Sequence, residues 1–326
     1  LYTASGADPS GYAPTVLGHE GAGVVEAVGD GVDNVKPGDH VVLSWSPSCG
    51  RCRYCIQGRP NLCSLAEGTV YLSVMFDGTT RLSRAGSAVH SYLSVGSFGE
   101  RTIVPASGAV PIRKDAPLDR VALVGCAVTT GIGAVVNTAG VRPGASVAVI
   151  GCGGVGLSVI MGAKLVSGLP IIAVDVVEEK LALARKMGAT ETVNAREVDP
   201  VEAIREITGG TGADFAFEAI GLPRTVEQAY ECLAPGGTAV VVGQAPEKSR
   251  IGLDPLILSD RERRVIGSNY GSAIVPIDFP RIIDLYMAGL VDLDGLVSGT
   301  CSLDGVNDAF AAMAAGETAR TIITYA

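Results

Sequence analysis

Apolar positions change their period twice along the chain. Up to about residue 120, short Val-rich runs such as Ala22–Val28 and His40–Leu43 stand between Gly, Pro and Asp clusters, the pattern of short strands joined by turns. From about 145 to 270 two periods alternate. Ser146–Ile150 predicts a strand, Val155–Val166 a helix, Ile171–Asp175 a strand and Glu178–Met187 a helix ended by Gly188. Asp214–Ile220 (strand), Arg224–Leu233 (helix), Thr238–Val242 (strand) and Arg264–Ser268 (strand) continue the series. Such alternation implies a parallel sheet with both faces covered. Beyond about 272 it stops. Asp278–Met287 and Asp304–Ala314 read as amphipathic helices, and Thr321–Tyr325 reads as a closing strand. The expected class is α/β plus β: a β-rich lobe over 1–126, a doubly wound parallel-sheet domain over 127–272, and a return to the first lobe over 273–326.

Two charge-free runs of 21 residues, Val121–Val141 and Pro143–Ala163, are long enough to span a bilayer. Only Arg142 separates them, too short a link for two crossings, and glycines punctuate each run in strand-turn-helix order, so buried core is expected and no membrane partner. The 326 residues suit about two domains. A net charge of −9 argues against nucleic acid or an anionic lipid surface as a partner. Eight cysteines without a signal-peptide pattern point to a reducing compartment, the cytoplasm. The chain begins at Leu1 rather than Met, so a preceding segment is expected.

Gly151-Cys152-Gly153-Gly154-Val155-Gly156 fits G-x-G-x-x-G, a weak signal alone in a chain with 43 glycines. Its context strengthens it. It follows the apolar strand, opens a helix, and Asp175 ends the next strand 19 residues after Gly156. Gly151 would permit the tight turn, Gly153 the approach of a pyrophosphate and Gly156 close helix–strand packing, with the helix N-terminus facing the phosphates. Asp175 would accept bonds from the adenosine ribose hydroxyls. With Val176 and Val177 after it, no Arg is placed for a 2′-phosphate, which favours NAD over NADP. Lys180, one turn into the next helix, is a second candidate for the ribose or else a solvated charge.

Cys49-x2-Cys52-x2-Cys55-x7-Cys63 places four soft ligands in one loop over 49–63. Four thiolates suit tetrahedral zinc and leave no open position, so this site reads as structural; disulfides or an iron–sulfur centre are the alternatives. His19 lies in Gly18-His19-Glu20. His40 and His90 have no ligand-like company and read as structural. With Cys126, His19 and Glu20 offer a second candidate metal site.

Taken together, Leu17-Gly18-His19-Glu20-Gly21, the four-cysteine loop, Gly125-Cys126-Ala127-Val128-Thr129-Thr130-Gly131, the glycine turn with Asp175, and Arg320-Thr321 resemble the zinc-dependent medium-chain alcohol dehydrogenases, in order and over the whole chain. The resemblance implies a GroES-like catalytic domain with an inserted Rossmann domain. It implies a catalytic zinc held by His19 and Cys126, with Glu20 as an acidic neighbour able to ligate it. It places the family's further cysteine ligand four residues before Leu1, with the relay hydroxyl, and Tyr2 at a relay position. Thr130 and Val155 would lie at the nicotinamide ring, Gly243 at its carboxamide and Arg320 at the pyrophosphate, while Trp45 would line the substrate pocket. The loop through Asp77-Gly78-Thr79 is similar to the glutathione-dependent formaldehyde dehydrogenase branch. Ser10 and Glu67, however, stand where that branch has an acidic and a basic contact to the glutathione adduct, so a plain alcohol or another thiol adduct is the better expectation.

The expected activity is therefore reversible oxidation of a small-molecule alcohol, or reduction of an aldehyde, with NAD and two zinc ions, in a homodimer or homotetramer joined near Val265–Tyr270. Three other readings stay open. One is a truncated, catalytically impaired homologue that binds NAD and structural zinc. The second is a zinc-free quinone or enone reductase, which would not need His19, Cys126 or the cysteine lobe. The third is a zinc-ribbon interaction module coupled to a redox sensor.

Overall fold

The strands Ala213–Glu218, Val147–Ile150 and Ile171–Asp175 lie side by side in the middle of a six-stranded parallel sheet, in a computed structural model that describes residues 12–315 and 320–325. Leu233–Val241 and Arg264–Gly267 extend the sheet on one side and Glu191–Asn194 on the other. Numbered along the chain, the six strands run 6-5-4-1-2-3, the doubly wound order, whose direction reverses between Val147–Ile150 and Ala213–Glu218. Helices Gly154–Leu165, Glu178–Met187, Pro200–Ile207 and Pro223–Glu231 connect successive strands. Burial on both faces explains why the central strands show no polar alternation: Val147, Ala148, Val149, Ile172 and Phe217 are all fully buried.

This sheet belongs to one compact unit, Ala127–Ser272; the other combines Leu1–Cys126 with Ala273–Ala326. In the second unit, Gly21–Val24, His40–Leu43 and Ala109–Pro111 form an antiparallel sheet. Thr15–Val16, Ser87–Ser91 and Leu82–Arg84 form another sheet, and Gly299–Cys301 pairs with Thr321–Ile323. Its core gathers Val35, Val41, Leu43, Val95 and Ala109, with Trp45 packed against them.

Several boundaries differ from the pattern. The strand expected over 22–28 ends at Val24, because Val25 leaves the ladder to bond with the turn: its N–H donates to Asp39 O and its carbonyl accepts from Gly38 N. The strand expected from Thr238 starts at Leu233 and absorbs Pro235, Gly236 and Gly237 through a register shift against Ala213–Phe215. The helix expected from Asp278 starts at Val275; Asp278 instead lies in its first turn, where its carboxylate accepts from Ile274 N. The run 121–141 is divided among short helical segments, broken at Cys126 (φ −145°, ψ −83°). Among the described residues no single helix is long and apolar enough to cross a membrane.

Candidate metal centres and dinucleotide turn

The four-cysteine loop is wound by local signals. Gly50 and Gly58 take positive φ, Cys52 starts the single turn Arg53–Ile56, Pro60 opens a 3-10 turn and Cys63 precedes the helix Ser64–Val70. The result brings the Sγ atoms of Cys49, Cys52, Cys55 and Cys63 within 4.8 Å of one another. Ligands at ~2.3 Å around a tetrahedral ion stand about 3.8 Å apart, so the cage fits zinc. Backbone amides already turn toward the sulfurs: Cys49 N donates to Cys63 Sγ and Cys52 N to Cys49 Sγ, both at 3.3 Å. Amide donors, Cys55 N first, pull the Cys52 thiol down to about 6, and Arg51 N leads the lowering at Cys49. Burial, reinforced by Cys52, pushes Cys55 up to about 12. A cluster that makes thiolates easily at two positions and resists them at a third is a cluster that a cation completes.

The second candidate site joins residues 107 positions apart. His19 Nε2 lies 3.2 Å from Cys126 Sγ, close to the roughly 3.5 Å expected between N and S ligands of one tetrahedral zinc. Two glycines allow this. At Gly18 (φ +89°) a Cβ would stand 2.3 Å from Phe98 Cδ1, and at Gly125 it would stand 2.7 Å from Leu43 O. Burial lowers the His19 pKa against the opposing pull of Glu20, so the imidazole is neutral and offers a lone pair. Burial, then Glu20, push the Cys126 thiol up. Glu20 Oε1 faces Arg320 Nη2 at 3.9 Å. Among the described residues, the four cysteines are the group whose donors converge as a set of three or more, so Glu20 stands beside the pair rather than in it. Trp45 is packed against two apolar clusters of this unit, one around Leu43 and Val95 and another around Cys63, Ala66 and Leu93. Tyr2 and Ser10 lie outside the described residues. Glu67 is exposed on its helix, and Asp77 closes an exposed turn by accepting from Thr79 N and Arg81 Nη2.

In the Ala127–Ser272 unit the glycine turn follows Val147–Ile150, and its glycines answer different constraints. Gly151 has φ +99°, and a Cβ there would meet Ile220 Cγ1 at 2.5 Å. At Gly156 a Cβ would stand 1.7 Å from Gly151 O. At Gly153 it would meet nothing within 4 Å, leaving open space over the start of a helix that no side chain caps. A phosphate fits that cradle. Asp175, 8% exposed, accepts from Cys152 N through Oδ2 and from Val176 N and Val177 N through Oδ1. A carboxylate has about four acceptor positions, so one remains for a ribose hydroxyl. Lys180 is half-buried nearby; its charge lowers the Cys152 thiol, which burial and then Asp175 push up to about 12. Gly131, where a Cβ would meet Val155 O at 2.5 Å, packs the helix Ala127–Gly133 on the turn and so brings Thr130 beside Val155.

Glu218 escaped the sequence reading. It is fully buried at the end of Ala213–Glu218, where Oε1 accepts from Ile220 N, Gly221 N and Thr225 Oγ1. It ties Gly221 to Gly243, whose N–H donates to Glu218 O and whose added Cβ would meet Gly221 N at 2.2 Å. A charged residue directly after the apolar stretch of Phe215, Ala216 and Phe217 was the available signal.

Comparison with known proteins agrees with this geometry. The family described as "Alcohol dehydrogenase GroES-like domain" matches residues 1–114, and "Zinc-binding dehydrogenase" matches 154–288. An S-(hydroxymethyl)glutathione dehydrogenase of Paracoccus denitrificans is 38% identical over 335 residues, covering 99% of this chain and 88% of its own length. One from Escherichia coli O1:K1 / APEC is 41% identical over 327 residues, with the same coverage. Among solved structures, benzyl alcohol dehydrogenase from Acinetobacter calcoaceticus superposes with a TM-score of 0.92 at 34% identity, covering 98% of this chain and 87% of the other.

Proposed function

The chain belongs to the zinc-dependent medium-chain alcohol dehydrogenases, and from that premise we propose that His19 and Cys126 hold its catalytic zinc, Cys49, Cys52, Cys55 and Cys63 its structural zinc, and the Gly151–Gly156 turn its NAD. The enzyme interconverts an alcohol and an aldehyde by hydride transfer. When bound, zinc supplies Lewis acidity toward the substrate oxygen and NAD supplies the hydride acceptor. The chain's own residues prepare this. The neutral His19 imidazole offers its lone pair. Gly153 leaves room for the pyrophosphate while the uncapped helix start directs amides at it. Asp175 would accept from the ribose and disfavour a 2′-phosphate, in keeping with NAD. Thr130 and Val155 would flank the nicotinamide, and Glu218 holds Gly221 against Gly243, where the carboxamide would bond. Lys180 stands near the ribose end. Arg320, beside Glu20, balances that carboxylate and, by the family resemblance, would serve as the pyrophosphate partner. Trp45 would narrow the substrate pocket, and Tyr2 would serve the proton relay.

For substrate, we favour a plain alcohol or a thiol adduct other than that of glutathione, because the carboxylate of Glu67 repels an anionic adduct where a basic residue would hold it. The strand Arg264–Gly267 is a sheet edge; its outer face, with Val265–Tyr270, would join a homodimer or a homotetramer, which sedimentation measures. Eight cysteines, none in a disulfide, support a cytoplasmic location.

The single observation that carries the reading is the contact of His19 with Cys126. The test is zinc counting on the full-length protein alongside kinetics. Two zinc ions per chain are expected. Cys126→Ala should lose one of them and at least 1000-fold in kcat/KM, with NAD affinity unchanged. One zinc in the unaltered protein would mean the impaired homologue, and none the reductase.

A further inference from the structure

The Ala127–Ser272 unit has a second concavity, at the opposite end of its sheet from the glycine turn, where Ala213–Glu218, Leu233–Val241 and Arg264–Gly267 begin. It encloses about 500 Å³. Three arginines line it: Arg205 from the last turn of Pro200–Ile207, and Arg261 and Arg263 from the turn that precedes Arg264–Gly267. None has a part in the reaction above.

Some of this charge serves the fold. Arg263 donates from Nη1 to Tyr230 O at 3.1 Å and from Nη2 to Leu233 O, and Arg205 Nη2 donates to Glu231 O at 2.9 Å. These are carbonyls at and just past a helix C-terminus, which attract cations. A surplus remains. Among the described residues Arg263 has no carboxylate partner, and its Nε is buried without a hydrogen bond. The Arg261 side chain makes no ion pair or hydrogen bond among the described residues. Arg205 alone is paired, with Glu202 at 2.8 Å. Two carboxylates, Glu231 and Asp254, share the rim, and Asp254 Oδ1 also accepts from Leu256 N and Ile257 N. The cations also crowd one another: burial, with Arg205 and Arg261 adding to it, weakens Arg263's hold on its proton. Three guanidinium groups against two carboxylates leave the lining one positive charge in excess, in a chain with net charge −9, and an anion would relieve it.

We propose that this groove binds a phosphate-bearing anion, gripped by the free guanidinium of Arg261, with Arg263 and Arg205 adding positive charge around it. Planar guanidinium forks match phosphate oxygens in pairs. The volume falls within the roughly 300–1,000 Å³ of small-molecule sites and exceeds a bare phosphate, so a pyrophosphate or phosphate ester fits it.

The test is calorimetric titration of the full chain with pyrophosphate, in saturating NAD so that the phosphate seat at the glycine turn is filled. One saturable site is expected. Arg261→Ala, an exposed change with no effect on the fold, should weaken it at least tenfold, and Arg263→Ala should weaken it as well. Arg264→Ala, exposed on the adjoining strand outside the groove, should leave it unchanged. Orthophosphate and AMP, titrated separately, tell an inorganic ion from a phosphate ester, and saturable binding of either supports the site. Absence of saturable binding with NAD present overturns the proposal. So does equal weakening by Arg264→Ala, which would reduce the effect to diffuse charge.

Discussion

Gly153 and Gly156 stand one turn apart and ask for opposite experiments. An added methyl at Gly156 meets the Gly151 carbonyl at 1.7 Å, a backbone atom with nowhere to go. Gly156→Ala should therefore cost stability, about 1–3 kcal/mol as an overpacking change, and lower the melting temperature with or without NAD. At Gly153 the same methyl meets nothing within 4 Å. Gly153→Ala should fold with an unchanged melting temperature and bind NAD at least tenfold more weakly, because the methyl stands where the pyrophosphate would approach. Equal affinity in the two proteins would place the cofactor elsewhere. The motif named both glycines, but only the surroundings separate a packing role from a binding role. Glu218 marks the limit of single-residue reading: its importance comes from three donors that meet it in space, and a lone Glu after Phe217 does not announce them.

Elements were legible where sequence pattern and burial coincide. Val147–Ile150 and Ile171–Asp175, the first apolar throughout and the second apolar up to its closing Asp175, stand out as strands. Glu191–Asn194 went unseen because it is an edge strand with mixed exposure, exposed at Glu191 and buried only at Val193. Pro200–Ile207 was missed although Asp199 and Pro200 are a start signal; the helix is only eight residues long, and its cap is plain only once Asp199 is seen accepting from Val201 N and Glu202 N. The cysteine lobe is the reverse case, bright in sequence and poor in regular structure. Its helical turn Arg53–Ile56 has four residues and no buried side chain, too little to persist by itself. Metal should therefore hold it, with apparent binding energies of about 10–16 kcal/mol typical for structural zinc. Chelation should raise proteolytic cleavage and hydrogen exchange within 49–63 while NAD binding in the other unit persists. A lobe equally protected without metal would count against the assignment.

At the scale of the whole molecule the two units differ in what alkali does to them. Cys152 and Cys232, 1% and 0% exposed, both belong to the Ala127–Ser272 unit, and burial leads the rise of each thiol to about 12. Below about pH 8.5 a cysteine is protonated in the folded and unfolded chain alike, and the stabilisation is complete. Above that the unfolded chain gives up these protons while the folded chain keeps them until about 12, so stability falls as pH rises, by up to about 1.4 kcal/mol per pH unit for each thiol. In the other unit, Tyr286, raised to about 12 by burial and then by Asp294, adds a loss of the same sign only above pH 10, where an unfolded tyrosine ionises. Cys126 and Cys55 of that unit are raised by burial too, but in the zinc-loaded protein both would be metal-bound thiolates, so between pH 8.5 and 10 the weakening should fall on the sheet unit. The single tryptophan, Trp45, reports the other one. Urea unfolding of the zinc-loaded protein should show NAD binding lost at progressively lower urea over this range, while the Trp45 fluorescence midpoint holds. Cys232→Ala should halve the slope; parallel movement of both midpoints would show that the units unfold as one.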